Sequence, residues 1–235
     1  MASVLGKRRR PSGKRYVTQR ARKTYRSSRY VPSGVLSIPA PLRTGGYYGM
    51  AARGEKKTID VDPTTFEVTT TATLNLINGV ATGSDFTDRI GRKIKMTSWS
   101  IRAFWAPVDS LVDTSTMRFM IVLDLQPNGA AATITDILKS SSVVSQLNLN
   151  NRDRFRVLMD KVVTSGPLTA AFVGTPITGS FKKYKKCMQD VIFSGTLSTI
   201  GSIATGALYF VTLGNNGAGA GRNITWSSRV RFVDA

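Results

Sequence analysis

Lys93-Ile-Lys-Met-Thr-Ser-Trp-Ser-Ile-Arg-Ala-Phe-Trp105 alternates apolar and polar residues, but its phase slips once. Ile94 and Met96 share one face; beyond Thr97-Ser98 the apolar face continues on Trp99, Ile101 and Ala103. A period of two belongs to a strand with one buried face, and a single slip predicts a β-bulge at Thr97-Ser98. Seven further runs have the same Thr-, Val-, Ile- and Phe-rich texture, separated by Gly, Asn, Asp and Pro clusters. They are Thr65 to Ile77, Met117 to Leu125, Phe155 to Val163, Phe181 to Cys187, Val191 to Phe193, Ala207 to Leu213 and Ile224 to Val233. Eight short strands with long, uneven connections predict an all-β chain: an eight-stranded single jelly roll, two four-stranded sheets wound as Greek keys. The helical signal is confined to Thr133–Lys139, where Thr133 can serve as N-cap, with a second turn expected around Ser142 to Leu147. Gly214 to Gly221 is too long for a tight hairpin and reads as a surface loop between the last two strands.

Ahead of this domain the composition changes completely. Residues 1–54 hold 13 Lys or Arg, ten of them Arg, and no Asp or Glu; the first acid is Glu55. The whole chain of 235 residues carries a formal +19, of which the first 54 residues supply +13 and the rest +6. A segment of one charge repels itself and builds no core, so 1–54 reads as a disordered basic arm and 55–235 as the folded domain. Charge asymmetry of this kind points to a polyanion. Pro32, Pro39 and Pro41 rule out one continuous arm helix. No apolar run is long enough to cross a bilayer, and the N-terminus lacks the apolar stretch of a signal peptide, so neither membrane insertion nor secretion is expected.

Catalysis is disfavoured by what the chain lacks. It contains no His and one Cys, Cys187. That removes Ser-His and Cys-His pairs and most zinc sites, and leaves no disulfide within the chain. Asp60 with Asp62, and Asp85 with Asp88, lack a third ligand or a catalytic partner and read as turn residues. No enzyme activity, metal or cofactor is expected.

The candidate nucleic-acid contacts in the arm are Lys7, Arg8, Arg9, Arg10, Lys14, Arg15, Arg20, Arg22, Lys23, Arg26 and Arg29. Guanidinium groups bind phosphate bidentately and stack on bases, and Tyr16, Tyr25 and Tyr30 lie among them. Lys7-Arg8-Arg9-Arg10 and Lys14-Arg15, with a short spacer, also fit a nuclear import signal read by a host import receptor. In the domain, Arg229 and Arg231 alternate against Trp226, Val230 and Phe232, and Arg118 against Met117, Phe119 and Ile121. If their strands are neighbours, the three arginines form a cationic patch, either a nucleic-acid contact or a set of salt-bridging groups at a subunit contact. Lys182, Lys183, Lys185 and Lys186 around Tyr184 fit either a protected strand edge or a further nucleic-acid contact.

Several of these stretches taken together resemble a known group. Arg118-Phe-Met-Ile-Val-Leu-Asp-Leu-Gln-Pro-Asn-Gly129, Ile134-Thr-Asp-Ile-Leu138, Asn151-Arg-Asp-Arg-Phe-Arg-Val-Leu-Met-Asp-Lys161 and Ile224-Thr-Trp-Ser-Ser-Arg-Val-Arg-Phe-Val-Asp234, behind a basic arm, are similar to the capsid proteins of circular Rep-encoding single-stranded DNA viruses, the circovirus-like and geminivirus-like coats. The resemblance implies a virion protein that self-assembles into a small icosahedral T=1 shell, commonly of 60 copies, with arms turned inward onto single-stranded DNA. Combined with the import signal, it implies passage through the host nucleus during assembly. Sixty arms would bring about 780 positive charges and sixty chains about 1140, on the order of the phosphates of a genome of one to two thousand nucleotides. The alternative is the coat protein of a small RNA or satellite virus, which would share fold and arm. A ribosomal or chromatin protein with a basic tail fits less well, because such proteins keep strong positive charge in their globular part.

Overall fold

The computed structural model describes residues 55–107, 114–167 and 177–235. The chain divides into two units between Thr44 and Gly45, and the first lies wholly outside the described residues. Among the described residues of the second, nine strands follow in order: β1 Lys56–Val68, β2 Thr73–Leu76, β3 Lys93–Pro107, β4 Ser115–Asp124, β5 Phe155–Ser165, β6 Gly179–Phe193, β7 Ile203–Thr205, β8 Ala207–Gly214 and β9 Arg222–Asp234. Between β4 and β5 lie one α-helical turn, α1 Ile134–Ile137, and a 3-10 turn, Leu149–Asn151.

The strands form a five-stranded sheet, β1-β9-β3-β6-β7, and a four-stranded sheet, β2-β8-β4-β5. All pairings are antiparallel, and they nest: β1 with β9, β2 with β8, β3 with β6, β4 with β5. That is a long hairpin rolled up so that successive segments fall in opposite sheets, which is a jelly roll.

The fold class is as expected, but several details differ. Thr65 to Ile77 is not one strand. The chain leaves the first sheet at Val68 and enters the second at Thr73, while β1 itself starts back at Lys56, where alternation is too weak to read. Phe181 to Cys187 and Val191 to Phe193 belong to one strand, β6. The three-residue β7 pairs with the end of β6 and makes that sheet five-stranded. Ser142 to Leu147 forms no helix; it turns back so that Leu138 and Leu147 bridge. The bulge in β3 is where the phase slip puts it, with the register shifting between Met96 and Ser98 against both β6 and β9.

Between the sheets lies the core expected of facing apolar rows. Trp99, Ile101, Trp226, Val230 and Phe232 from one sheet meet Phe119, Ile121, Leu208 and Phe210 from the other, all at most 2% exposed. Phe210 and Trp226 join the sheets, with ring centroids 4.9 Å apart, a separation at which aromatic pairs add to simple burial. Full burial of each such side chain stabilises by roughly 1.5–3 kcal/mol, so the core holds the sheet faces in fixed positions.

The two outer faces are treated differently. Residues of the 127–150 segment, Ala132, Ile137, Leu138 and Val143, are buried, and so are Met120, Val122, Tyr209, Val211 and Leu213 of the four-stranded sheet's outer face. The segment is anchored by a turn in which Ala130 N–H donates to Pro127 O (3.1 Å). Asn128 and Gly129 both take positive φ in it, a conformation Gly adopts without cost and Asn tolerates. At α1, the Asp136 carboxylate accepts from the Thr133 backbone N–H and hydroxyl, both at 2.8 Å. The outer face of the five-stranded sheet remains exposed along β9, β3 and β6.

Candidate nucleic-acid interface

Strand registers set the outer face of the five-stranded sheet out in rows. Lys186, Ser98, Arg231 and Thr58 lie side by side across β6, β3, β9 and β1; next come Tyr184, Ser100, Arg229 and Asp60; then Lys182, Arg102 and Ser227; then Ser180, Phe104, Thr225 and Thr65. Neighbours within a row are about 5 Å apart, and rows repeat every two residues, about 7 Å. Ser98 is only 3% exposed, because it lies between the longer side chains of Lys186 and Arg231. Thr65 and Thr225 share a hydrogen bond of 2.7 Å across the fourth row.

The charges in these rows are not equivalent. Arg229 is already engaged: its Nε donates to Asp60 Oδ1 (2.7 Å) and its Nη2 to Oδ2 (2.5 Å). The paired carboxylate raises the Arg229 pKa further. Lys93 likewise holds Asp190 at 2.9 Å, and that hydrogen bond lowers the Asp190 pKa. Arg102, Lys182, Lys186 and Arg231 are exposed and make no ion pair with any described residue. Arg102, Arg229 and Arg231, with Asp60, Asp62, Ser100 and Ser227, line a groove of about 340 Å³. Tyr184 and Phe104 stand exposed beside it, at 49% and 48%.

Arg118 is not part of this surface. Its strand, β4, neighbours β5 and β8, whereas β9 neighbours β1 and β3, so the expected three-arginine patch does not form. Arg118 is 7% exposed beneath the covering segment. Its Nε and Nη2 donate to the Asp160 carboxylate at 2.9 and 2.6 Å, and its Nη1 donates to Ser145 O (2.6 Å) and Val143 O (3.3 Å). All three guanidinium nitrogens donate inside the protein, which makes Arg118 a fastener between β4, β5 and the cover.

Other cations are structural in ways the sequence did not signal. Arg89 is 2% exposed, donates to Val80 O (3.1 Å), Gly91 O (2.5 Å) and Gly195 O, and lies 4.1 Å from the Phe193 ring centre; burial lowers its pKa. Lys57, 1% exposed, reaches Asp234 (3.2 Å) and Asp88 O (2.9 Å). Arg222 donates to Ser165 Oγ (3.0 Å) and Gly166 O (2.8 Å). Arg154 pairs with the fully buried Asp124, which raises the arginine's pKa.

Among the described residues, Lys182 to Lys186 lie on the part of β6 that pairs only with β3, since β7 pairs at Ile192 and Phe193. They therefore border an open sheet edge, where lysines oppose edge-to-edge association. Lys182, Tyr184 and Lys186 also face the groove side, so the edge and contact readings coincide in one strand. Among the described residues, no three His, Cys, Asp or Glu side chains come together as a metal site would require. The arm candidates, Lys7 to Arg29, lie outside the described residues.

Comparison with known proteins gives the lineage. The model of the satellite tobacco necrosis virus coat protein family matches residues 50–235. A curated relative, the coat protein of Satellite tobacco necrosis virus 2, is 26% identical over 155 residues, covering 65% of this chain and 74% of that protein. A solved chain from Desmodium yellow mottle tymovirus covers 77% of this chain and 89% of its own at 11% identity, but its TM-score of 0.31 carries no weight.

These matches overturn the resemblance to circular single-stranded DNA viruses and point instead to a satellite virus coat. The single-stranded DNA partner falls with it. Nuclear localisation conflicts with the matched family, and the import receptor and passage through the host nucleus lose their support; the import-signal residues Lys7, Arg8, Arg9, Arg10, Lys14 and Arg15 lie outside the described residues. The stretches behind that resemblance are β4 with its following turn, α1, β5 and β9. They carry the alternation, turn and cover that a jelly roll of this kind requires, so they report the fold and not the lineage. The chain belongs to the satellite tobacco necrosis virus coat protein family.

Proposed function

We propose that this chain is the coat protein of a satellite RNA virus, and that copies of it close into a small icosahedral shell around single-stranded RNA. The family match over residues 50–235 carries the reading. The charge distribution supports the packaging role independently. Residues 1–54 bring +13 with no acid, so sixty copies would deliver about 780 arm charges, enough to neutralise a large share of a small genome. The arm cations Lys7, Arg8, Arg9, Arg10, Lys14, Arg15, Arg20, Arg22, Lys23, Arg26 and Arg29 bind phosphate without regard to sequence, and their grip weakens as salt rises. The jelly roll supplies the rigid tile, and its role is structural.

Electron microscopy and sedimentation of the purified full-length chain, with absorbance at 260 and 280 nm on the same fraction, test this. Closed round particles with a nucleic-acid-like ratio, emptied by ribonuclease after mild disruption, are expected. A monodisperse monomer at low and high salt, with or without added RNA, would contradict the shell. Particles whose content resists ribonuclease but yields to deoxyribonuclease would contradict the RNA.

A further inference from the structure

We infer that the outer face of the five-stranded sheet is a second RNA-binding site, distinct from the arm, in which Arg102, Lys182, Lys186 and Arg231 hold phosphates while Tyr184 and Phe104 stack bases. The inference rests on the packaging role proposed above and assigns part of it to the folded domain.

Charge is the first support. Four exposed cations without an ion-pair partner among the described residues occupy two rows of this face, Lys186 with Arg231 and Lys182 with Arg102. Between those rows, the Asp60 carboxylate is occupied by Arg229, so the intervening row is nearly neutral and not repulsive to an anion. The arrangement therefore offers two cationic rungs about two row spacings apart, roughly 14 Å, across which a single strand can be laid.

Aromatic placement is the second support. Tyr184 lies in the middle row, flanked along β6 by Lys182 and Lys186, and Phe104 lies in the row beyond Arg102. Both rings are about half exposed, in a molecule that buries Phe119, Phe193, Phe210 and Phe232 completely. Aromatic rings alternating with cations along a groove are the means by which proteins hold single strands without sequence preference, each stacked base adding to the phosphate term. A duplex would present neither free base faces nor a fit to so shallow a surface. Serines carry the rest of the floor: Ser98, Ser100, Ser180 and Ser227 are short, so a nucleic-acid backbone can approach the sheet there.

The same chemistry could be met by acidic residues of a neighbouring copy, and the experiment distinguishes the two. Full-length particles are irradiated at 254 nm, digested with nuclease and protease, and nucleotide adducts are mapped by mass spectrometry. Adducts on peptides containing Tyr184 or Phe104, in addition to arm peptides, are the expected result. Adducts confined to the arm would overturn the sheet site while leaving the packaging role intact; particles without nucleic acid would overturn both. Lysine cross-links from Lys182 or Lys186 to acids of a second copy, with no nucleotide on this face, would assign the rows to a subunit contact. In parallel, the full-length triple variant R102Q/K182Q/R231Q is titrated with poly(U) over a range of salt. Losing three phosphate contacts should reduce the slope of log affinity against log salt by about 2, with particle size unchanged. An unchanged slope would contradict the site.

Discussion

The outer faces of the two sheets use the same residue type in opposite ways. On the four-stranded sheet, Arg118 is capped by the 127–150 segment and held by Asp160, Ser145 and Val143. On the five-stranded sheet, Arg231 stands exposed beside a buried serine, with no anionic partner among the described residues. The difference lies in what covers each sheet. A face buried under chain demands that every polar group be satisfied within the protein, whereas an open face can leave its cations for something else to neutralise. Arg118 is therefore a fastener and Arg231 an open cation because of what lies over each face.

Exchanging the two arginines for alanine should break the comparison most visibly. Arg118→Ala removes both hydrogen bonds to Asp160 and the two to the cover, and should cost about 3 kcal/mol. Arg231→Ala should change stability by less than about 0.5 kcal/mol. Urea denaturation at matched assembly state, followed by the fluorescence of buried Trp99, Trp105 and Trp226, reads both; equal losses would end the distinction.

A smaller effect is expected where the cover begins. Asp136→Asn weakens the hydrogen bonds that fix the start of α1 and should cost about 1 kcal/mol. Those bonds with Thr133 lower the Asp136 pKa below its ordinary 3.8. Their contribution is therefore full above the unfolded pKa and is lost as the pH falls through the lower folded one. The wild-type and Asp136→Asn urea midpoints should accordingly converge below about pH 4.

Asp60→Asn sharpens the comparison from the open side. It frees Arg229 for phosphate, so the salt dependence of poly(U) binding should steepen by about 0.7. A shallower slope would mean that Asp60 orders the groove instead of withholding a cation.

The smallest effect concerns Cys187, which is half-buried on β6 and whose thiol is pushed up to about 11 by burial, with Lys185 only partly opposing. Thiolate is scarce below that value, so iodoacetamide should react slowly at pH 8 and faster as the pH climbs toward 11. Rapid alkylation at pH 8 would show β6 opening at that edge.

Much of the architecture was legible because alternation is a local signal. The β3 bulge, the Thr133 cap, the loop after β8 and the inward rows of β4 and β9 could all be read from residue order. What could not be read was which sheet each strand joins. Arg118 and Arg231 alternate against apolar neighbours in the same way, and period two assigns a side of the strand without saying what lies over that side.

A second signal was present and missed. Met117 to Leu125 and Ala207 to Leu213 are nearly continuous apolar runs, the texture of strands buried on both faces, and β4 and β8 are buried almost throughout. Ile224 to Val233 keeps clean alternation, and β9 is open on one side. Read that way, Arg118 is a buried cation needing a carboxylate, and Arg229 and Arg231 remain the candidates. The split of β1 from β2 left no such trace, since residues 69–72 continue the Thr-rich texture while the chain changes sheets. Lineage was illegible for a related reason: the stretches quoted for it satisfy the packing rules of a jelly roll, which unrelated coats also obey.

Cryo-electron microscopy of assembled full-length particles tests the central claim most directly, because it shows which sheet faces the packaged RNA. The outer face of β1-β9-β3-β6-β7 is expected to line the interior, with density against Arg102, Tyr184 and Arg231. An interior lined by the 127–150 segment, with those three residues facing solvent or a neighbouring copy, would contradict the account.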